Sequence, residues 1–104
     1  MSEKNFLELS EKELIGLADT IENNDQTSIF DVEYSDGILN INIFSNNQTY
    51  VINKHSASQK IWFSSPISGA NYFAFNGEQQ KWLDEKNREL KEFLFSELKT
   101  NFKF

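Results

Sequence analysis

Between residues 5 and 24 the apolar side chains Phe6, Leu9, Leu14, Leu17, Ala18 and Ile21 recur at three- and four-residue spacing, which predicts an amphipathic helix. After the polar connection Asn23-Asn24-Asp25-Gln26 the period drops to two. Phe30, Val32 and Tyr34 then alternate with Asp31 and Glu33, the pattern of a strand over residues 29–34 with one apolar and one acidic face. Ser35-Asp36-Gly37 is a hairpin signal, and over residues 38–45 Leu39, Ile41 and Ile43 alternate with Asn40 and Asn42. Ser45-Asn46-Asn47 turns the chain into residues 48–53, where Tyr50, Val51 and Ile52 are all apolar, so the pattern does not select the inward face. Lys54 to Ser58 reads as a loop.

The next strand is the most informative stretch. In Gln59-Lys60-Ile61-Trp62-Phe63-Ser64 the residues Ile61 and Phe63 share one face, while Lys60, Trp62 and Ser64 share the other. If Ile61 and Phe63 face the core, this indole stands on the solvent side of the sheet, where a large apolar ring marks a contact with something else; the alternative is that Trp62 is buried and the alternation misleads. Ser64-Ser65-Pro66-Ile67-Ser68-Gly69 then breaks the strand, because proline lacks a donor and glycine permits a turn. Residues 71–75 form a fifth strand, Asn76-Gly77 a turn, and residues 81–83 a short sixth strand. A closing helix runs over residues 87–102 with Asn87 as its N-cap; Leu90, Leu94, Phe95, Leu98 and Phe102 share its broad apolar face and Phe93 sits at the border. Two helices flanking five to six antiparallel strands predict a single α+β domain over residues 1–104. Its architecture is a two-layer α/β sandwich with both helices on one sheet face and Trp62 on the open one.

Composition narrows the chemistry. With 104 residues the chain can bury a core without covalent staples, and it contains no cysteine, so disulfides, thiolate catalysis and zinc–thiolate sites are excluded. Met1-Ser2-Glu3-Lys4-Asn5 has neither a basic amphipathic leader nor an apolar signal core, and no apolar run reaches the ~18 residues of a membrane span. A cytosolic protein is expected. Net charge is −6 and one-sided: residues 1–36 carry ten acidic and two basic side chains, and residues 37–104 carry six acidic and eight basic. Such a surface repels a phosphate backbone and attracts a cation or a basic protein.

Advancing about 100° per residue along the first helix, Glu8, Glu11, Asp19 and Glu22 fall within an arc of roughly 80° beside the apolar stripe, interrupted by Ile15. Asp31 and Glu33 on the next strand extend this carboxylate ridge. Acids near a helix C-terminus oppose the macrodipole by about a few tenths of a kcal/mol each, which points to a use beyond folding. Carboxylates are hard ligands for Ca²⁺, Mg²⁺, Mn²⁺ and iron, and an open row of them binds loosely, with dissociation constants of order 10⁻⁶ to 10⁻³ M. A solvated acidic helix face is the plainer alternative. The sole histidine, His55, lies in a polar loop and reads as solvated; Ser64, Ser65 and Ser68 have no base and orienting acid nearby, so hydrolase chemistry is not expected.

Ile61-Trp62-Phe63-Ser64-Ser65-Pro66-Ile67-Ser68-Gly69, with the upstream Asn53-Lys54 and the order of elements, resembles the frataxin family in its bacterial, CyaY-type form. The likeness covers nearly the whole chain. It departs at His55, Ala57 and Lys60, where the family commonly has Gln, Pro and Gln, and in Ala70 to Phe75, where the family has a basic, Trp-containing segment. The resemblance implies the same two-layer fold and weak iron binding on an acidic ridge, carried here by Glu11, Asp19, Glu22, Asp25, Asp31 and Glu33. Ala18, Asn23, Asn24 and Ile29 leave gaps in that ridge. It also implies a non-enzymatic role in iron–sulfur cluster assembly through docking on the cysteine desulfurase and its scaffold protein, with Asn53, Trp62 and Ser64 on the contact surface. A monomer that oligomerises with iron fits this role. The alternatives are a ferroxidase that stores iron and a metal-independent acidic adaptor for a basic partner.

Overall fold

The computed structural model describes all 104 residues. The elements follow in the order α1 (Glu3–Asn24), β1 (Phe30–Ser35), β2 (Ile38–Ile43), β3 (Gln48–His55), β4 (Lys60–Ser65), β5 (Gly69–Asn76), β6 (Lys81–Leu83) and α2 (Leu90–Phe102). The six strands form one antiparallel sheet in sequential order, so every connection within it is a hairpin. Both helices pack on the same face of the sheet. The expected α+β sandwich is therefore the fold, with the sixth strand present.

The core lies between the layers. Phe6, Leu14, Leu17 and Ile21 of α1 and Leu90, Leu94 and Leu98 of α2 meet Leu39, Ile41, Ile43, Tyr50, Ile52, Ile61, Phe63 and Phe73 from the sheet, all 2% exposed or less. Burial settles β3: Tyr50 and Ile52 face the helices and Val51 faces out. Edge-to-face aromatic pairs fill the spaces between aliphatic side chains, as in Phe63 with Phe93 and Phe6 with Trp82. Leu9, expected in the buried stripe, is only partly covered, and Ser10 is fully buried in the same turn, donating to the Leu7 carbonyl at 3.3 Å. No helix is long and apolar enough to cross a membrane.

Most element boundaries shift by one or two residues from the sequence pattern, and three of the shifts have a visible cause. α1 begins at Glu3, because the Ser2 hydroxyl accepts the Asn5 N–H at 3.1 Å and caps the first turn. β3 continues through Lys54 and His55, which pair with Ile61 and Lys60, so the expected loop shrinks to Ser56–Gln59. Asn87 is not the cap of α2: it adopts φ 60° in the turn before the helix. Asp84 organises that turn. Its buried carboxylate accepts the Lys86 N–H at 2.9 Å, the Arg88 N–H at 2.8 Å, the Arg88 Nε–H at 2.7 Å and the Asn71 amide at 2.9 Å. Burial alone pushes this carboxyl pKa upward, and these donors outweigh it, bringing the group down to about 2.

Candidate functional site

The six carboxylates expected on the ridge have three different environments. Glu11, on α1, reaches across to the sheet, where the Lys54 ammonium donates to Oε2 at 2.7 Å and the Tyr34 hydroxyl donates to Oε1 at 2.6 Å. The Lys54 hydrogen bond, seconded by Tyr34, holds the Glu11 carboxyl below its ordinary pKa despite partial burial. Burial and the Glu11 bond push the Tyr34 phenol well above its own. Asp25 is likewise occupied. It follows the last turn of α1, and its two oxygens accept the Ile29 N–H at 2.8 Å and the Phe30 N–H at 2.9 Å, which fixes the entry into β1. Both residues hold the helix to the first strand.

The remaining four are free of such ties. Asp19 and Glu22 are exposed three residues apart on α1, one above the other along the helix surface. Asp31 and Glu33 are exposed on β1, the edge strand nearest that helix. The protein's two ion pairs are Lys54–Glu11 and Arg88–Asp84, so none of these four is matched by a cation. They do not share one face: Phe30, Val32 and Tyr34 turn toward the helices, which sends Asp31 and Glu33 to the opposite side of the sheet. No three acidic or histidine side chains converge as a metal cage. The ridge is two carboxylate pairs on either side of the β1 edge, a donor set that fits a loosely held hard cation and does not fit a tight chelate.

The open face carries the second candidate surface. Ile38, Asn53, Trp62 and Tyr72 stand in one cross-strand row through β2, β3, β4 and β5. Trp62 is 36% exposed, with Tyr72 edge-on to its ring at 5.5 Å. Ser64 is exposed one step along β4, between Val51 and Ala70. Asn53 is half-buried and donates its amide to the Lys54 carbonyl at 3.2 Å. Asn53, Trp62 and Ser64 thus lie together, on the side the alternation of β4 predicts. His55 corrects the expectation of a solvated loop residue. Its ring stacks on Trp62 with centroids 3.7 Å apart and planes 15° apart, and its Nδ1 lies 2.8 Å from the Ser58 hydroxyl. Two-residue alternation carried from Asn53 to His55 would have placed it there.

Beneath the turn that follows Trp62 lies a polar network that sequence reasoning missed. Ser65 is buried; its hydroxyl donates to Glu97 at 2.6 Å and accepts the Ile67 and Ser68 N–H groups at 2.9 and 3.0 Å. The same Glu97 oxygen accepts the Tyr50 hydroxyl at 2.8 Å. Burial, then the bond to Glu97, pushes the Tyr50 phenol far above its usual pKa. Ser65 is therefore the anchor of the turn and is spent as a hydrogen-bonding group, not poised as a nucleophile.

A family model described as frataxin-like domain matches residues 1–104. The chain is 41% identical over 76 residues to mitochondrial frataxin of Dictyostelium discoideum, a match covering 72% of this chain and 39% of that protein. It is 43% identical over 56 residues to the mitochondrial frataxin homolog of Drosophila melanogaster, covering 54% of this chain and 30% of that protein. The chain thus matches well under half the length of these curated relatives. Among solved structures, trimeric frataxin from Saccharomyces cerevisiae, complexed with ferrous iron, superposes with TM-score 0.78 at 29% identity, covering 92% of this chain and 87% of that one. Frataxin from Psychromonas ingrahamii, of the CyaY protein family, gives TM-score 0.85 at 18% identity over 99% of this chain and 93% of that one, a likeness of fold alone.

Proposed function

The chain belongs to the frataxin family, and on that premise we propose that it binds iron weakly at its acidic edge and assists iron–sulfur cluster assembly by docking on a cysteine desulfurase and its scaffold protein. The observation that carries the reading is the quartet Asp19, Glu22, Asp31 and Glu33, exposed and unmatched by any cation, while Glu11 and Asp25 are committed to the fold. Hard carboxylate oxygens in two separate pairs suit a cation that keeps much of its water. Iron is cargo in this role. The chain has no cysteine, so any cluster chemistry belongs to the partners' thiolates. The open-face group Asn53, Trp62 and Ser64 supplies a contact surface with an aromatic anchor, the kind of residue that dominates interface energetics.

Titrating a ¹⁵N-labelled sample with Mn²⁺ as the paramagnetic probe tests the metal half. Amide signals around Asp19 and Glu22, and around Asp31 and Glu33, should broaden first, with Trp62 and Tyr72 spared. No preferential broadening at millimolar ion removes metal binding from the reading. A second reading is favoured by the lack of any three converging ligands: an acidic adaptor that meets a basic partner without metal. Sulfide production by the desulfurase, measured with and without iron, separates the two, because only the first predicts that iron changes the protein's effect. Oxygen consumption on adding Fe²⁺ tests for ferroxidase activity, which the proposed role does not include.

A further inference from the structure

We propose that His55 is a positioning residue of the open face, its imidazole holding the Trp62 indole in one orientation before a partner arrives. This rests on the reading of that face as the docking surface. An indole standing on an open sheet has two free side-chain torsions, and a partner that uses it as an anchor must first freeze them. Here the freezing is done within the chain. His55 and Trp62 are diagonal neighbours on adjacent strands, since Asn53 pairs with Trp62 and His55 with Lys60, a separation that aromatic side chains span. Their rings lie 3.7 Å apart and nearly parallel, while Tyr72 closes the other flank edge-on at 5.5 Å.

His55 is itself fixed. The Ser58 backbone N–H lies 3.3 Å from Nδ1, and because an amide N–H only donates, Nδ1 is the acceptor and the neutral ring carries its proton on Nε2. The Ser58 hydroxyl stands 2.8 Å from the same nitrogen. Ser58 in turn belongs to a short β3–β4 hairpin closed by the Gln59 N–H on the Ser56 carbonyl at 3.2 Å, with Gln59 in the left-handed region at φ 53°. The order runs from hairpin to imidazole to indole. Three rings on adjacent strands then present one rigid edge, and a rigid aromatic anchor binds at lower ordering cost than a mobile one.

The test compares His55→Ala and His55→Phe in the full chain. Phenylalanine keeps a stacking ring and loses both contacts to Ser58, whereas alanine loses everything. The first readout is the ¹⁵N order parameter of the Trp62 indole N–H, identified by its absence in Trp62→Phe. The second is affinity for the desulfurase–scaffold complex, with Trp62→Ala as reference. His55→Ala should lower the order parameter and weaken binding about threefold to tenfold, the equivalent of ordering one large side chain, and His55→Phe, which keeps the stack without its tie to the hairpin, should recover part of both. An unchanged indole order parameter in His55→Ala overturns the proposal, as does a His55→Phe variant that behaves like His55→Ala, because the stacked ring would then contribute nothing to holding the indole. If Trp62→Ala weakens binding and His55→Ala does not, only the positioning role is lost. If neither weakens binding, the open face is not the docking surface and both readings fall together.

Discussion

Replacing Glu11 by Gln keeps the size of the side chain and removes the charge that Lys54 faces. The lysine is the more buried partner, with a side chain 14% exposed against 43% for the glutamate. The substitution therefore strands an ammonium that the sheet has largely taken out of water, and it replaces a charged acceptor of the Tyr34 hydroxyl by a neutral one. A hydrogen bond to a charged group contributes about 1.5–3 kcal/mol. Breaking a fully buried pair costs about 3–5 kcal/mol, but solvent at the half-exposed carboxylate screens this one toward the smaller value of surface pairs. The expected loss is about 1–2 kcal/mol at pH 7. The pH dependence follows from the direction of the Glu11 shift. Its carboxyl is held below the ordinary range in the folded protein, so the unfolded chain takes up the proton first as pH falls. The stabilisation is complete above the unfolded value of about 4.3 and drains away as pH drops through the lower folded value. Urea unfolding of the wild type and Glu11→Gln at several pH values should show a constant gap between pH 6 and 8 that closes below about pH 4. A gap under about 0.5 kcal/mol at pH 7 would refute the assignment of Glu11 to the fold, since that is the size of an ordinary surface substitution. A gap of undiminished size in acid would refute the electrostatic account. Broadening by Mn²⁺ at Asp19 and Glu22 should survive the substitution, because Glu11 is already engaged.

Four other substitutions probe the remaining parts. Trp62→Ala should cost about 1 kcal/mol or less in denaturant unfolding while Trp82→Ala, which removes an indole 3% exposed, should cost about 3–5 kcal/mol. The Trp62 change should nevertheless weaken the desulfurase–scaffold complex about thirtyfold, the loss of one aromatic hot spot of about 2 kcal/mol, and unchanged affinity would show the indole is not the anchor. Asp25→Ala should destabilise by about 1–2 kcal/mol through the orphaned Ile29 and Phe30 N–H groups, visible as faster amide exchange at the start of β1; a neutral change would return Asp25 to the free carboxylates. Asp84→Asn should cost about 2–3 kcal/mol at pH 7, since a carboxylate accepting four donors loses its charge. As that carboxyl titrates near pH 2 when folded, its contribution is present above about 3.9 and fades only toward pH 2, so the gap should persist into more acidic solution than most carboxylate effects.

The elements were legible wherever the information is local. Period-two alternation in Leu39–Ile43 and Ile61–Phe63, and the helical spacing of Phe6, Leu14, Leu17 and Ile21, each name a buried face without knowledge of the partner, and burial follows them. The turn before α2 departs from the sequence pattern for a reason of the same kind. Asparagine favours a helix N-cap and the left-handed turn alike, because its short amide substitutes for backbone partners in both. What decides at Asn87 is the neighbouring Asp84, whose carboxylate takes the Lys86 and Arg88 N–H groups and delays the helix to Leu90. Lys54 and His55 looked like loop because they are polar, yet a strand continues as long as its neighbour offers a ladder, and Ile61 and Lys60 offer one.

The carboxylates show where one-dimensional reading stops. Arc position on a helical wheel made Glu8, Glu11, Asp19 and Glu22 equivalent, but Lys54 is 43 residues from Glu11 in the chain and only folding brings its ammonium to 2.7 Å. Nothing near Glu11 in sequence marks it as different from Glu22. Asp25 and Asp31 are equally alike on paper, and one closes onto two backbone N–H groups while the other points into solvent from an edge strand. Charge that is satisfied inside the fold is lost to a ligand, so the folded protein offers a cation fewer groups than its acidic count implies, and it divides them between two faces of the β1 edge. In the role proposed above, occupancy of one pair leaves the other hydrated and available to a basic partner. Under that proposal the division would let metal binding and charge-steered docking use the same edge without competing for the same oxygens. It predicts that reversing Asp31 and Glu33 to lysine slows association with a basic partner while Mn²⁺ broadening at Asp19 and Glu22 persists. Loss of both effects together would mean the two pairs act as one site.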